Sequence, residues 1–134
     1  MREIFKKAFI QALEDTLGET PKLVSVQLNS GYKSCIEIVN PNKENKTIWF
    51  VASKGFLEHF SSVLLGEENP GEMELRDLSQ ELANLTIGLA KVVAVGEGVF
   101  FDIGTPSVFG YGDMNGELSL DFELNGNKCS IFYV

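Results

Sequence analysis

Residues 117–134, ELSLDFELNGNKCSIFYV, constrain the fold more than any other stretch. Apolar side chains alternate strictly through Leu118, Leu120, Phe122 and Leu124, the period of a strand with one buried face. Asn125-Gly126 has the residue types of a two-residue turn whose backbone needs positive φ. KCSIFYV (128–134) then returns as the partner strand. An antiparallel hairpin with one apolar face needs a cover, and the rest of the chain carries amphipathic segments able to supply it.

Residues 3–17 read as a helix with Phe5, Phe9, Ala12, Leu13 and Leu17 on one face, stopped by Gly18 and Pro21. KLVSVQL (22–28) alternates through Val24, Val26 and Leu28 as a half-buried strand. Asn29-Ser30-Gly31 turns the chain into a second strand, YKSCIEIV (32–39), with Ile36 and Ile38 inward. NPNKENK (40–46) is a polar loop, and TIWFVA (47–52), apolar on both sides, suits a central strand. Ser53 caps a short helix with a stripe of Phe56, Leu57, Phe60, Val63 and Leu64, and Gly66 ends it. After the break GEENPG (66–71) comes a helix over 77–91. VVAVGEGVFFDIG (92–104) then reads as a strand, and GTPSVFGYGDMNG (104–116) as a loop.

The order is helix, three strands, helix, helix, three strands. A helix followed by three strands occurs twice, a candidate internal duplication visible in element order and not in residue identity. Short turns between sequential strands imply antiparallel pairing. The expected fold is therefore α+β: one antiparallel sheet with helices packed on it, forming a single domain over 1–134.

Charge and composition exclude several classes of function. A net charge of −8 argues against a nucleic-acid partner, which needs a basic patch. No apolar run reaches the roughly 18 residues of a membrane helix, and the N-terminus lacks the pattern of a secretory signal, so the expected location is the cytoplasm. Cys35 and Cys129 sit among apolar neighbours and read as free buried thiols. His59 is the only histidine, so neither a metal centre of ordinary donor type nor a His-based nucleophile set is available. GEGVFFDIG holds too little of a phosphate-loop fingerprint, and the acids of FDIGTPSVFGYGDMNG lack EF-hand spacing.

The helix over 77–91, DLSQELANLTIGLAK, is the informative one. At about 100° per residue, Leu75, Leu78, Leu82, Leu85 and Leu89 face the core, while Asp77, Glu81, Asn84 and Gly88 share the opposite sector. These four suit a helix poorly. Asp77 and Glu81 place like charges at i, i+4. Asn84 costs roughly 0.5–0.7 kcal/mol relative to Ala and Gly88 about 1 kcal/mol. The bland alternatives are solvated acids and a glycine that lets a strand or helix come close. A stripe that opposes its own helix marks a functional position. An outward carboxylate one turn from an amide has no burial to tune acid–base chemistry. It suits insertion into another molecule, where an amide can hold a water in line with phosphorus and a carboxylate can grip a lysine.

The spacing Asp77, Glu81, Asn84 and, after 21 further residues, Pro106 resembles the signature of the CheC/CheX/FliY phosphatases of bacterial chemotaxis. ELANLTIGLAK resembles the family's helix, and GTPSVFG its proline loop. AFIQALEDTLG and FSSVLLGEE extend the likeness more weakly over nearly the whole chain. The resemblance implies hydrolysis of the phospho-aspartate of a CheY-type response-regulator receiver. In that scheme Glu81 anchors the receiver's lysine and Asn84 positions the attacking water, with Asp77, Gly88 and Pro106 in support. It implies no cofactor of the chain's own, the Mg²⁺ belonging to the receiver. CheC-type members carry the Glu-x-x-Asn pair in both duplicated helices. Residues 1–18 contain no Asn, so one site is expected, as in CheX. A CheX-type homodimer through sheet edges is also implied, with KCSIFYV as a candidate edge strand. The alternative is a non-catalytic module of flagellar-switch type that docks on a receiver without hydrolysing it.

Overall fold

The computed structural model describes residues 1–40 and 45–133. The loop expected over 40–46 therefore lies, at 41–44, outside the described residues. Three helices and seven strands follow one another: α1 (Arg2–Leu17), β1 (Lys22–Val24), β2 (Ser30–Val39), β3 (Lys46–Ala52), α2 (Lys54–Leu65), α3 (Glu72–Gly96), β4 (Asp102–Ile103), β5 (Ser107–Asp113), β6 (Ser119–Leu124) and β7 (Asn127–Tyr133).

The caps foreseen from sequence are in place. Gly18 and Gly66 take left-handed φ of 68° and 72° and end α1 and α2. Ser53 accepts the Phe56 amide at the start of α2. Asn125 and Gly126 have φ of 52° and 79°, the doubly positive geometry of a type I′ hairpin turn.

All strand pairs are antiparallel, in the order β1-β6-β7-β3-β2-β4, with β5 also pairing β2. With the two-residue β4 set aside, the order β1-β6-β7-β3-β2-β5 maps onto itself when the halves are exchanged. The duplication inferred from element order is therefore present in the topology, as α1-β1-β2-β3 and α3-β5-β6-β7. The helices cover the face formed by Ile36, Ile48, Phe50, Ile131, Leu120 and Phe122, all buried. Phe9 of α1 meets Phe122 with ring centroids 4.4 Å apart.

Several sequence-based expectations are corrected. The strand at 92–104 does not exist as such: α3 continues to Gly96 and only Asp102–Ile103 pair with β2. Ala90 and Ala94 are fully buried while Val92 and Val95 are exposed, so the small residues seat the helix and the β-branched valines that suggested a strand face out. The expected loop at 104–116 contains β5. The first strand stops at Val24, and Val26 is exposed. There the chain leaves the sheet, and the Leu28 amide donates to the Ser130 hydroxyl. Leu118 precedes β6 and is exposed, as are Val63 and Leu64 of α2, where Ser61 is buried instead. KCSIFYV is no edge: β7 lies between β6 and β3, and the outer strands are β1 and β4/β5. Cys129 is buried and Cys35 only partly so; burial raises both thiol pKa values.

One contact sets the start of α3. The Tyr32 hydroxyl of β2 donates to Glu72 at 2.6 Å, and Arg76 reaches the same carboxylate at 3.4 Å. The Glu72 hydrogen bond raises Tyr32 from 10.0 to about 12, and the same bond holds the Glu72 carboxyl below its ordinary range. A raised tyrosine pKa gives stability that is complete below pH 10 and lost as pH climbs towards about 12. The stability advantage of the parent over Tyr32→Phe, measured by urea unfolding, is therefore expected to shrink across that alkaline window.

Candidate functional site

The site is the outward side of α3. Leu75, Leu78 and Leu82 are buried below it, with Leu85 and Leu89 packed at the core margin. This fixes the helix rotation. Asp77, Glu81, Asn84 and Gly88 all emerge exposed, and the three-residue step from Glu81 to Asn84 is about 4.5 Å along the axis. The helix is held from beneath by the buried Ser34 hydroxyl, which donates to the Ser79 carbonyl at 3.0 Å. Within the helix the Thr86 hydroxyl donates to the Leu82 carbonyl at 2.8 Å.

Among the described residues, no hydrogen bond or ion pair engages the side chains of Asp77, Glu81 or Asn84; Arg76 pairs with Glu72 and Lys91 with Asp102. The related helix α1 differs. At the same spacing it exposes Lys7, Gln11, Glu14 and Gly18, and the side chains there are engaged locally: Lys7 with Glu97, Gln11 with Asp15, and Glu14 with Thr20.

Gly88 separates two explanations. A glycine retained for packing would have a neighbour where its Cβ would stand. Among the described residues nothing lies within 4 Å of that point, so no described strand or helix needs the space. Gly88→Ala is expected to stabilise the isolated protein by up to about 1 kcal/mol, read as a higher urea midpoint with an unchanged slope.

Pro106 is half-buried and immediately precedes β5. It joins the site through that strand. Ser107 pairs with Cys35 of β2, next to the Ser34 that bonds α3. Farther along β5, Gly110 has φ +76°, and a Cβ there would stand 2.8 Å from the Arg76 guanidinium. The structure thus brings Asp77, Glu81, Asn84 and Gly88 onto one surface, with Pro106 in the segment that leads into the neighbouring strand β5.

Sequence reading missed a groove beside Glu81, between the end of α2 and the start of α3, lined by Leu64, Leu65, Glu67, Glu74, Asp77, Leu78 and Glu81. Its available signal was the acidic run around GEENPGEME, which is charged beyond what a turn requires. His59, alone in sequence, is tied to Glu19 at 2.7 Å and to Asn125 of the β6–β7 turn, not to the stripe. Among the described residues no group of three or more His, Cys, Asp or Glu is placed to hold a metal ion, and no helix is long and apolar enough to cross a membrane.

No family model matches this sequence, and no curated protein does. Solved structures do match. The chemotaxis protein CheX from Vibrio vulnificus superposes with a TM-score of 0.83 at 19% identity, covering 98% of this chain and 95% of that one. A CheC-like superfamily protein from Shewanella sp. PV-4 gives 0.83 at 20% identity, covering 98% and 94%. The CheX–CheY–BeF3–Mg²⁺ complex from Borrelia burgdorferi gives 0.69 at 21% identity, covering 97% and 94%. Sheet order, helix placement and these superpositions agree: the chain has the α+β fold of the CheX and CheC-like chemotaxis proteins.

Proposed function

We propose that this protein is a phosphatase for the phospho-aspartate of a CheY-type receiver, acting in the cytoplasm. The observation that carries the reading is the pair Glu81 and Asn84, exposed about one turn apart on α3 and free of any partner within the chain among the described residues. The structural likeness to a CheX crystallised with CheY and BeF3 supports a receiver as partner.

In this reading α3 enters the receiver's cleft. Glu81 accepts a charge-assisted hydrogen bond from the receiver's lysine and fixes the helix in register. The Asn84 amide oxygen accepts a hydrogen bond from a water, and its NH₂ donates to a phosphoryl oxygen, which leaves the water oxygen in line with phosphorus. A P–O bond forms to that water as the bond to the aspartyl oxygen breaks. The products are inorganic phosphate, which retains the water's protons, and the free aspartate carboxylate. The catalytic gain is one of position, which a loose phosphoryl transition state rewards. The Mg²⁺ is the receiver's. A homodimer through sheet edges belongs to the same reading; among the described residues β5 pairs with β2 alone, which leaves its other backbone edge open.

The test is phosphate loss from a CheY-type receiver charged with a small-molecule phosphodonor. Faster loss with the parent protein than without it supports the reading. Binding without any acceleration assigns the chain to the docking modules instead, and neither binding nor acceleration removes the proposal.

A further inference from the structure

The groove beside Glu81 is open and about 570 Å³ in volume. Its floor is apolar: Leu64 and Leu65 are 38% and 58% exposed, and Leu78 lies beneath. Two adjacent leucines left in water at the end of α2 give up burial that each could have had in the core. Its walls are anionic. Glu67, Glu74, Asp77 and Glu81 line it, and none has a basic partner among the described residues. The neighbouring Glu74 carboxyl, by hydrogen bonding and by its like charge, raises the Glu67 pKa. Like charges brought together in this way are relieved by an incoming cation.

The chemistry selects one kind of occupant. A purely apolar segment would desolvate four carboxylates with no compensation. A purely basic one would leave the leucines wet. A segment carrying lysine or arginine beside a large apolar side chain meets both demands, because the aliphatic stem lies on the leucines while the charged head reaches the rim. The groove is also continuous with the proposed docking stripe, since Asp77 and Glu81 belong to both.

We infer that the α2–α3 groove is a specificity subsite that receives a basic–apolar segment of the receiver, adjacent to the lysine gripped by Glu81. The inference rests on the receiver-docking reading. Glu81 is the shared corner, and Glu67, Glu74, Leu64 and Leu65 choose among receivers without touching the reacting atoms.

The probe is a CheY-type receiver held in its active form by beryllofluoride and Mg²⁺. Glu67→Gln with Glu74→Gln should weaken binding about tenfold at low salt, a gap that narrows as salt screens the rim. Phosphate loss at saturating protein should stay at the parent rate. Leu65→Gln should weaken binding equally at both salt levels. Matching thermal melts identify folded variants, and the exposed glutamates carry the test alone if Leu65→Gln does not fold. Parent-like affinity and salt dependence in the double glutamate variant, alongside lost binding in Glu81→Ala, overturns the groove and leaves the docking reading standing. Failure of the parent to bind or accelerate any CheY-type receiver overturns both.

Discussion

Asn84→Ala is expected to leave the receiver bound and return its dephosphorylation close to the unassisted rate. The amide is outside the core, so its loss creates no cavity, and alanine is the better helix former by roughly half a kcal/mol. The folded protein should therefore be at least as stable as the parent. What disappears, in the proposed mechanism, is the group that accepts from water and donates to phosphate from a fixed point. Removing a single preorganised donor from a reacting centre typically costs about 10²–10³ in rate. A loss of roughly 10²-fold in stimulated phosphate release, with Kd for the beryllofluoride-bound receiver within a factor of a few, is the expected result. Parent-like release from a stable Asn84→Ala protein would place the chemistry elsewhere.

Glu81→Ala is expected to act on association instead. A carboxylate paired with a lysine in a cleft from which water is excluded contributes about 1–3 kcal/mol when its partner would otherwise be buried unpaired, which is roughly a 5- to 150-fold rise in Kd. The rate at saturation should fall less than in Asn84→Ala, because the amide proposed to hold the water is still present. Titration calorimetry against the activated receiver, together with the concentration dependence of phosphate release, separates the two effects. If both variants match the parent in both measurements, the assignment of the site to α3 is wrong.

Gly88→Ala connects these to the stability measurement. Among the described residues no element fills the open space over Gly88. A variant more stable alone and weaker towards the receiver would identify that space as the partner's.

The candidate site was more legible in the sequence than the sheet was. Helix phase depends on local spacing, so the burial of Leu75, Leu78 and Leu82 and the exposure of Asp77, Glu81, Asn84 and Gly88 followed from a period of 3.6 residues. The same holds for the glycine caps and the Asn125-Gly126 turn, which are properties of a few adjacent residues. Misreadings gathered where the outcome depends on distant neighbours. Val92 and Val95 suggested a strand because β-branched residues favour one, yet Ala90 and Ala94 bury against the fold and carry the helix through them. Phe109 and Tyr111 lie in a stretch whose glycines and proline read as loop, and only the edge of β2 makes it a strand.

The sequence alone determined the element types with a strong local period, the turn chemistry, the duplication in element order, and the outward stripe of α3. Tertiary structure decided the order of strands in the sheet, the central place of β7, the length of α3 and the acidic groove against α2. Local periodicity is set by the chain's own backbone geometry within a few residues. Strand neighbours and grooves are set by which distant surfaces exclude water together, and no window of adjacent residues contains that information.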